Sequence, residues 1–193
     1  MIRMEQPSFS FNSSDVGVPH YTMWKTIVGP AGMTPSQLVA EIVMSNNASL
    51  QVYGKSLRNI ILNTHGGDGS LSIAGLYQND GVRRETMTKD DLGVFGILKP
   101  FNVGTIWLVS CEAAATAVGQ NFCQALANVA GTQVIASDSS QEVSIWQGVQ
   151  LFLAFRWNID DYEGTVYSFT PTQGMRKGID PEKDVWTVQE PIW

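Results

Sequence analysis

The sequence predicts an α/β fold, a three-layer sandwich on a mostly parallel sheet, and three observations carry that expectation. Short apolar runs bounded by turn formers recur at residues 58–64, 105–110 and 133–137, as buried strands do. Stretches with helical spacing of apolar residues stand between them. The resulting order, strand–helix–strand–hairpin–helix–strand–helix–strand, supplies the crossovers that parallel pairing requires.

Taken in order, residues 1–17 are polar, rich in Ser and Asn, and read as a flexible N-terminal arm, leaving residues 18–193 as a single domain. Residues 20–28 form a first strand closed by Gly29-Pro30. Thr34-Pro35 is an N-cap with Pro at the first helical position, and Leu38, Ile42 and Val43 mark a buried helix face as far as about Ser45. Residues 58–64 are the second strand. Gly66-Gly67-Asp68-Gly69 reads as a loop. The alternation from Ser70 to Ala74 with the turn signal Asn79-Asp80-Gly81 suggests a small hairpin. Thr88 caps a helix that opens with Asp90-Asp91, favourable at a positive helix end, and stops before Pro100. After the strand at 105–110, Gln120, Phe122, Leu126 and Val129 fit a helix over 113–130 ended by Gly131. The strand at 133–137 ends in Asp138. From Trp146 onward the texture is β-like, with a turn at 160–164 and a loop-rich last twenty residues.

The chain has 193 residues and a net charge of −6. That length suits one domain with a substantial core. The charge argues against nucleic acid or an anionic membrane as partner. No apolar run reaches spanning length, and the N-terminus has no apolar leader core. The expected location is cytoplasmic, with secretion by a non-classical route left open. Of the two cysteines, Cys123 falls about three helical turns beyond Cys111, roughly 15 Å away, too far for a disulfide. Two free thiols and a reducing compartment are therefore expected.

Two of the strands end in reactive residues. Ile60-Ile61-Leu62-Asn63-Thr64 runs into His65-Gly66, and Ile106-Trp107-Leu108-Val109-Ser110 runs into Cys111. In a parallel sheet, residues just past the C-terminal strand ends share one crevice. An imidazole and a thiol delivered there form a base–nucleophile pair. The plainer alternatives are an ordinary buried cysteine at 111 and a structural histidine at 65. Cys123, flanked by Phe122, reads as core, and His20 as structural. Gly66-Gly67-Asp68-Gly69 lacks the Lys and Ser/Thr of a phosphate loop. Two Cys and two His without ligand spacing give no zinc site.

In these same residues the sequence resembles the caspase-like (clan CD) cysteine peptidases, a group that includes metacaspases, gingipains, clostripain and self-cleaving toxin domains. Cys111 follows His65 by 46 residues, close to the roughly 50 typical of caspases. Residues 60–141 look most like bacterial caspase-like domains of large surface proteins, in which the helix after the Cys carries a pattern similar to Gly119, Gln120, Phe122, Ala125 and Leu126. The flanks Val109-Ser110 and Glu112-Ala113 depart from the caspase signature, so caspase specificity for aspartate is not implied.

The resemblance implies a cysteine endopeptidase acting through a thioester acyl-enzyme, with His65 and Cys111 as the dyad and no cofactor. It implies an oxyanion site at the backbone N–H groups of Gly66 and Cys111. It also puts substrate pockets in the segment after the fourth strand. There Asp138, next to Ser137, would select a basic residue, with Trp146 walling that pocket or the next; a pocket for apolar residues lined by Val109 and Trp146 is the other option. Asp138 as a cap of the following turn is the alternative. The expected partner is a peptide or protein substrate, with an activating protein partner or self-cleavage after Arg83 or Arg84 as further options. Two alternatives stay open: a catalytically inactive interaction module, and a protease domain that awaits a partner or processing.

Overall fold

The computed structural model describes residues 1–14, 16, 20–30, 32–73, 86–141 and 156–184. Its centre is a seven-stranded sheet. In chain order the elements are β1 (Ile2–Arg3), β2 (Ser8–Ser13), β3 (Lys25–Gly29), α1 (Pro35–Tyr53), β4 (Asn59–Asn63), β5 (His65–Gly67), β6 (Ser70–Ser72) and β7 (Thr86–Met87). A 3-10 helical segment (Lys89–Phe101) follows, then β8 (Thr105–Val109), α2 (Ala117–Ala130), β9 (Val134–Ser137), β10 (Asn158–Ile159), β11 (Val166–Thr170) and β12 (Gly174–Lys177). The sheet runs β3-β2-β4-β8-β9-β11-β12. It is parallel from β3 to β9 and antiparallel across β9-β11-β12. A mixed α/β fold with a mostly parallel sheet is thus present.

The strands alternate between two apolar clusters. Ile60 and Leu62 of β4 and Ile106 and Leu108 of β8 face a core that contains Leu38 and Ile42 of α1, Phe95 of the 3-10 segment, and Phe122 and Leu126 of α2. Ile61, Trp107, Val109 and Ile135 face the other way, under Ile2, Met4, Tyr21, Met23, Ile159 and Ile179. Among the described residues, helices cover one face only. The other is covered by extended segments and the small β1–β10 sheet, where a three-layer sandwich would have a second helical layer.

The N-terminal segment departs most from expectation. Residues 8–13, expected in a flexible arm, form a wholly buried strand between β3 and β4. The sequence Ser8-Phe9-Ser10-Phe11-Asn12-Ser13 alternates with period two. Phe9 and Phe11 enter the helical core. On the opposite side, Ser10 Oγ and Asn12 Nδ2 donate to the Tyr21 carbonyl, and Asn12 Oδ1 accepts from Tyr21 N–H and Asn63 Nδ2. Buried polar groups persist where they are paired, so a polar strand lies inside the sheet. Residues 20–24, read as strand, contribute only an isolated bridge at Thr22.

Helix α1 starts where expected, with a Thr34–Gln37 capping box and Pro35 in the first turn, but runs eight residues past Ser45. Its polar last turns serve the returning chain: Asn46 Oδ1 accepts from Leu57 N–H, and Ser49 Oγ donates to the Lys55 carbonyl. Asp91 caps the 3-10 segment by accepting the Thr88 N–H and hydroxyl, and that segment passes through Pro100 instead of stopping before it.

Candidate active site

β4 and β8 are adjacent and parallel, with Asn63 opposite Val109. His65 and Cys111 each lie two residues beyond that pair, so they leave the sheet together at its C-terminal edge. Neighbouring strands are about 4.8 Å apart, so the two residues leave from adjacent strand ends. His65 is exposed and Cys111 half-buried.

After Cys111 the chain turns sharply. Glu112 takes a left-handed backbone conformation (φ 54°), uncommon for a residue with a side chain. The turn is pinned by Glu112 N–H donating to the Ser139 carbonyl at 3.0 Å and Ala114 N–H to that of Ser137 at 2.9 Å. It holds the thiol at the strand end before α2 begins at Ala117, later than the sequence-predicted start at 113. The Cys111 thiol points at the Gln141 carbonyl, 4.0 Å away.

On the histidine side, Gly66-Gly67-Asp68-Gly69, expected as a loop, forms the first arm and turn of a hairpin, β5–β6. The other turn signal, Asn79-Asp80-Gly81, lies outside the described residues. Gly66 sits against the thiol segment: a Cβ there would fall 2.9 Å from Ser110 Cβ and Oγ and 3.2 Å from the Cys111 carbonyl oxygen. Only glycine allows that approach. Thr64 and Ser110, the residues just before His65 and Cys111, are buried with hydroxyl oxygens that find no hydrogen-bond partner among the described residues.

The remaining expected site residues divide. Val109 is buried in the sheet, facing Trp107 and Ile135. Ser137 is buried at the end of β9, and its hydroxyl accepts from Gln141 Nε2 at 2.6 Å. Asp138 turns towards β11, where its carboxylate accepts from Thr165 N–H at 2.8 Å, Tyr167 Oη at 3.2 Å and Ser139 Oγ at 3.3 Å. Burial works against its charge, but the Thr165, Tyr167 and Ser139 bonds outweigh it and hold the carboxyl below its ordinary range. Those bonds give Asp138 an anchoring role for the strand that follows. Trp146, Arg83 and Arg84 lie outside the described residues.

Two residues on the segments around His65 and Cys111 have no role assigned from the sequence. Gln141 joins the end of β9 to the turn at 160–164: its side chain donates to Ser137 Oγ and the Glu163 carbonyl and accepts from Glu163 N–H, while its own carbonyl faces the thiol. Asp68, at the tip of the β5–β6 turn, binds the start of α2. Both are polar residues in loops, and only the fold reveals which backbone they meet. Cys123 lies in the helical core, its thiol donating to the Ala113 carbonyl at 3.6 Å.

Residues 39–142 match the family model described as a domain of unknown function, DUF4347. The chain belongs to the DUF4347 family. The DUF4347 match begins inside α1 and ends just past Gln141. It therefore contains His65, Asp68, Cys111, Asp138 and the hairpin and turns that carry them, and omits β2, β3, β11 and β12. No curated protein matches the chain. Among the described residues, no helix is long and apolar enough to cross a membrane, and no group of three or more His, Cys, Asp or Glu could hold a metal ion.

Proposed function

We propose that this protein is a cysteine endopeptidase of caspase-like type, with Cys111 as nucleophile and His65 as general acid–base. The observation that carries the reading is the shared register of β4 and β8, which delivers both residues to one sheet edge. An accessible thiol at a pinned turn beside an exposed imidazole suits attack on a peptide carbonyl. In that reaction His65 takes the thiol proton, Cys111 Sγ adds to the carbonyl carbon, and as the C–N bond breaks the leaving amine takes that proton from the His65 imidazolium. Water then cleaves the thioester. In this reading the main-chain N–H groups of Gly66 and Cys111 are the oxyanion donors.

An irreversible probe tests this reading without knowledge of the natural substrate. A peptide bearing a C-terminal electrophilic ketone is expected to alkylate Cys111 of the wild-type chain, and His65→Ala to slow that reaction by about two orders of magnitude, the low end for a lost acid–base. A folded chain whose Cys111 ignores a panel of such probes supports the inactive interaction module instead.

A further inference from the structure

The geometry points to Asp68 as the positioning residue that fixes His65 relative to Cys111, by clamping the histidine hairpin to the helix that follows the cysteine. This inference rests on the dyad reading above. Asp68 Oδ1 accepts from Gly119 N–H at 2.8 Å and Thr116 N–H at 3.0 Å, and its other oxygen accepts from the Thr116 hydroxyl. Thr116 is the N-cap of α2, its hydroxyl also accepting from Val118 N–H at 3.1 Å. One carboxylate therefore satisfies N–H groups that a helix start leaves without internal partners, and it reaches them from another part of the chain.

The clamp has two ends. At the far end, a Cβ on Gly119 would fall 2.5 Å from Asp68 Oδ1, and one on Gly69 2.9 Å from Val118 Cγ1. At the near end Gly66 rests on Ser110 and Cys111. Three glycines thus let residues 65–69 and 110–119 lie against each other, with His65 and Cys111 at the same end of the contact. Beyond Thr64 the hairpin leaves the main sheet; among the described residues β5 pairs with β6 and β6 with β7. Thr64 N–H, one residue before His65, still donates to the Val109 carbonyl at 3.3 Å, and Asp68 adds a second tie at the far end of the hairpin, to the start of α2. The hydrogen bond from the Thr116 hydroxyl, opposed by burial and helped by the Thr116 and Gly119 N–H groups, holds its carboxyl below the ordinary 3.8, so the clamp is charged and closed at neutral pH.

The test follows Cys111 alkylation by iodoacetamide across pH in the full chain, with unfolding midpoints recorded in parallel. Asp68→Ala is expected to stay folded, to slow labelling at neutral pH about tenfold and to move the reactivity profile to higher pH, since small misplacements of a reacting pair are costly. Asp68→Asn, which keeps an acceptor for the two N–H groups, should lose less. In a His65→Ala background Asp68→Ala should change nothing further, which a merely structural role would not produce. If Asp68→Ala fails to fold, Asp68→Asn and Thr116→Val carry the same comparison. A folded Asp68 variant with the wild-type profile, or an equal loss in both backgrounds, overturns the inference and leaves the dyad standing. A His65→Ala profile identical to wild type removes the dyad itself, and the inference with it.

Discussion

The two cysteines, twelve residues apart, occupy opposite environments. Cys111 stands at a strand end, half-buried, beside a left-handed residue, two hydroxyls without a partner among the described residues, and a glycine pressed against its backbone. Cys123 is enclosed among Phe122, Leu126 and the strand side chains, and burial, with the Asp68 charge adding to it, pushes its thiol up, away from the reactive thiolate. One thiol belongs to packing and the other to a strand end. Residue type alone would not separate them; the difference lies in which element ends beneath each one.

The largest expected effect is in labelling. Native protein treated with iodoacetamide should lose Cys111 at least about a thousandfold faster than Cys123, because Cys123 is reached only through opening of the core, which costs several kcal/mol. Peptide mapping at timed intervals measures the ratio, and comparable rates would erase the distinction. Next is turnover: His65→Ala should lower the rate on any cleaved peptide about a hundredfold, with Cys123→Ala close to wild type.

Stability should show the reverse order. Cys123→Ala is expected to cost about 1 kcal/mol by denaturant unfolding, and Cys111→Ala less than about 0.5 kcal/mol, since only the former empties core volume. A larger loss at Cys111 would mean that it is a packing residue. The smallest effect concerns acid. Asp68 and Asp138 both have depressed folded pKa values. Their stabilisation is therefore fully present above the ordinary carboxylate value near 3.8 and is lost as pH falls through the lower folded values. Melting temperature should hold between pH 7 and 5 and drop below about pH 4, with a shallower drop in Asp138→Asn. An equal drop in wild type and variant would remove Asp138 from the account.

The central strands were legible because β4, β8 and β9 are continuous apolar runs, as strands buried on both faces must be. Parallel pairing of β4 with β8 then sets His65 and Cys111 just past adjacent strand ends. β2 was illegible because its second face is polar: Ser8, Ser10 and Asn12 look like a solvated arm until Tyr21 and Asn63 supply their partners. The extension of α1 was hidden the same way, in Asn46 and Ser49. Asp68 and Gln141 were missed because each bonds to backbone far away in sequence, and a single chain carries no mark of such a pairing. The packing of Gly66 against Ser110 and the Cys111 carbonyl was not legible either, because those partners lie at the end of another strand.

The most direct test of the account is a peptide-library digest with wild-type protein and Cys111→Ala side by side, read by mass spectrometry. The account predicts cleavage of a defined peptide set by wild type and none by Cys111→Ala at an unchanged unfolding midpoint. Cleavage that survives in Cys111→Ala would contradict it.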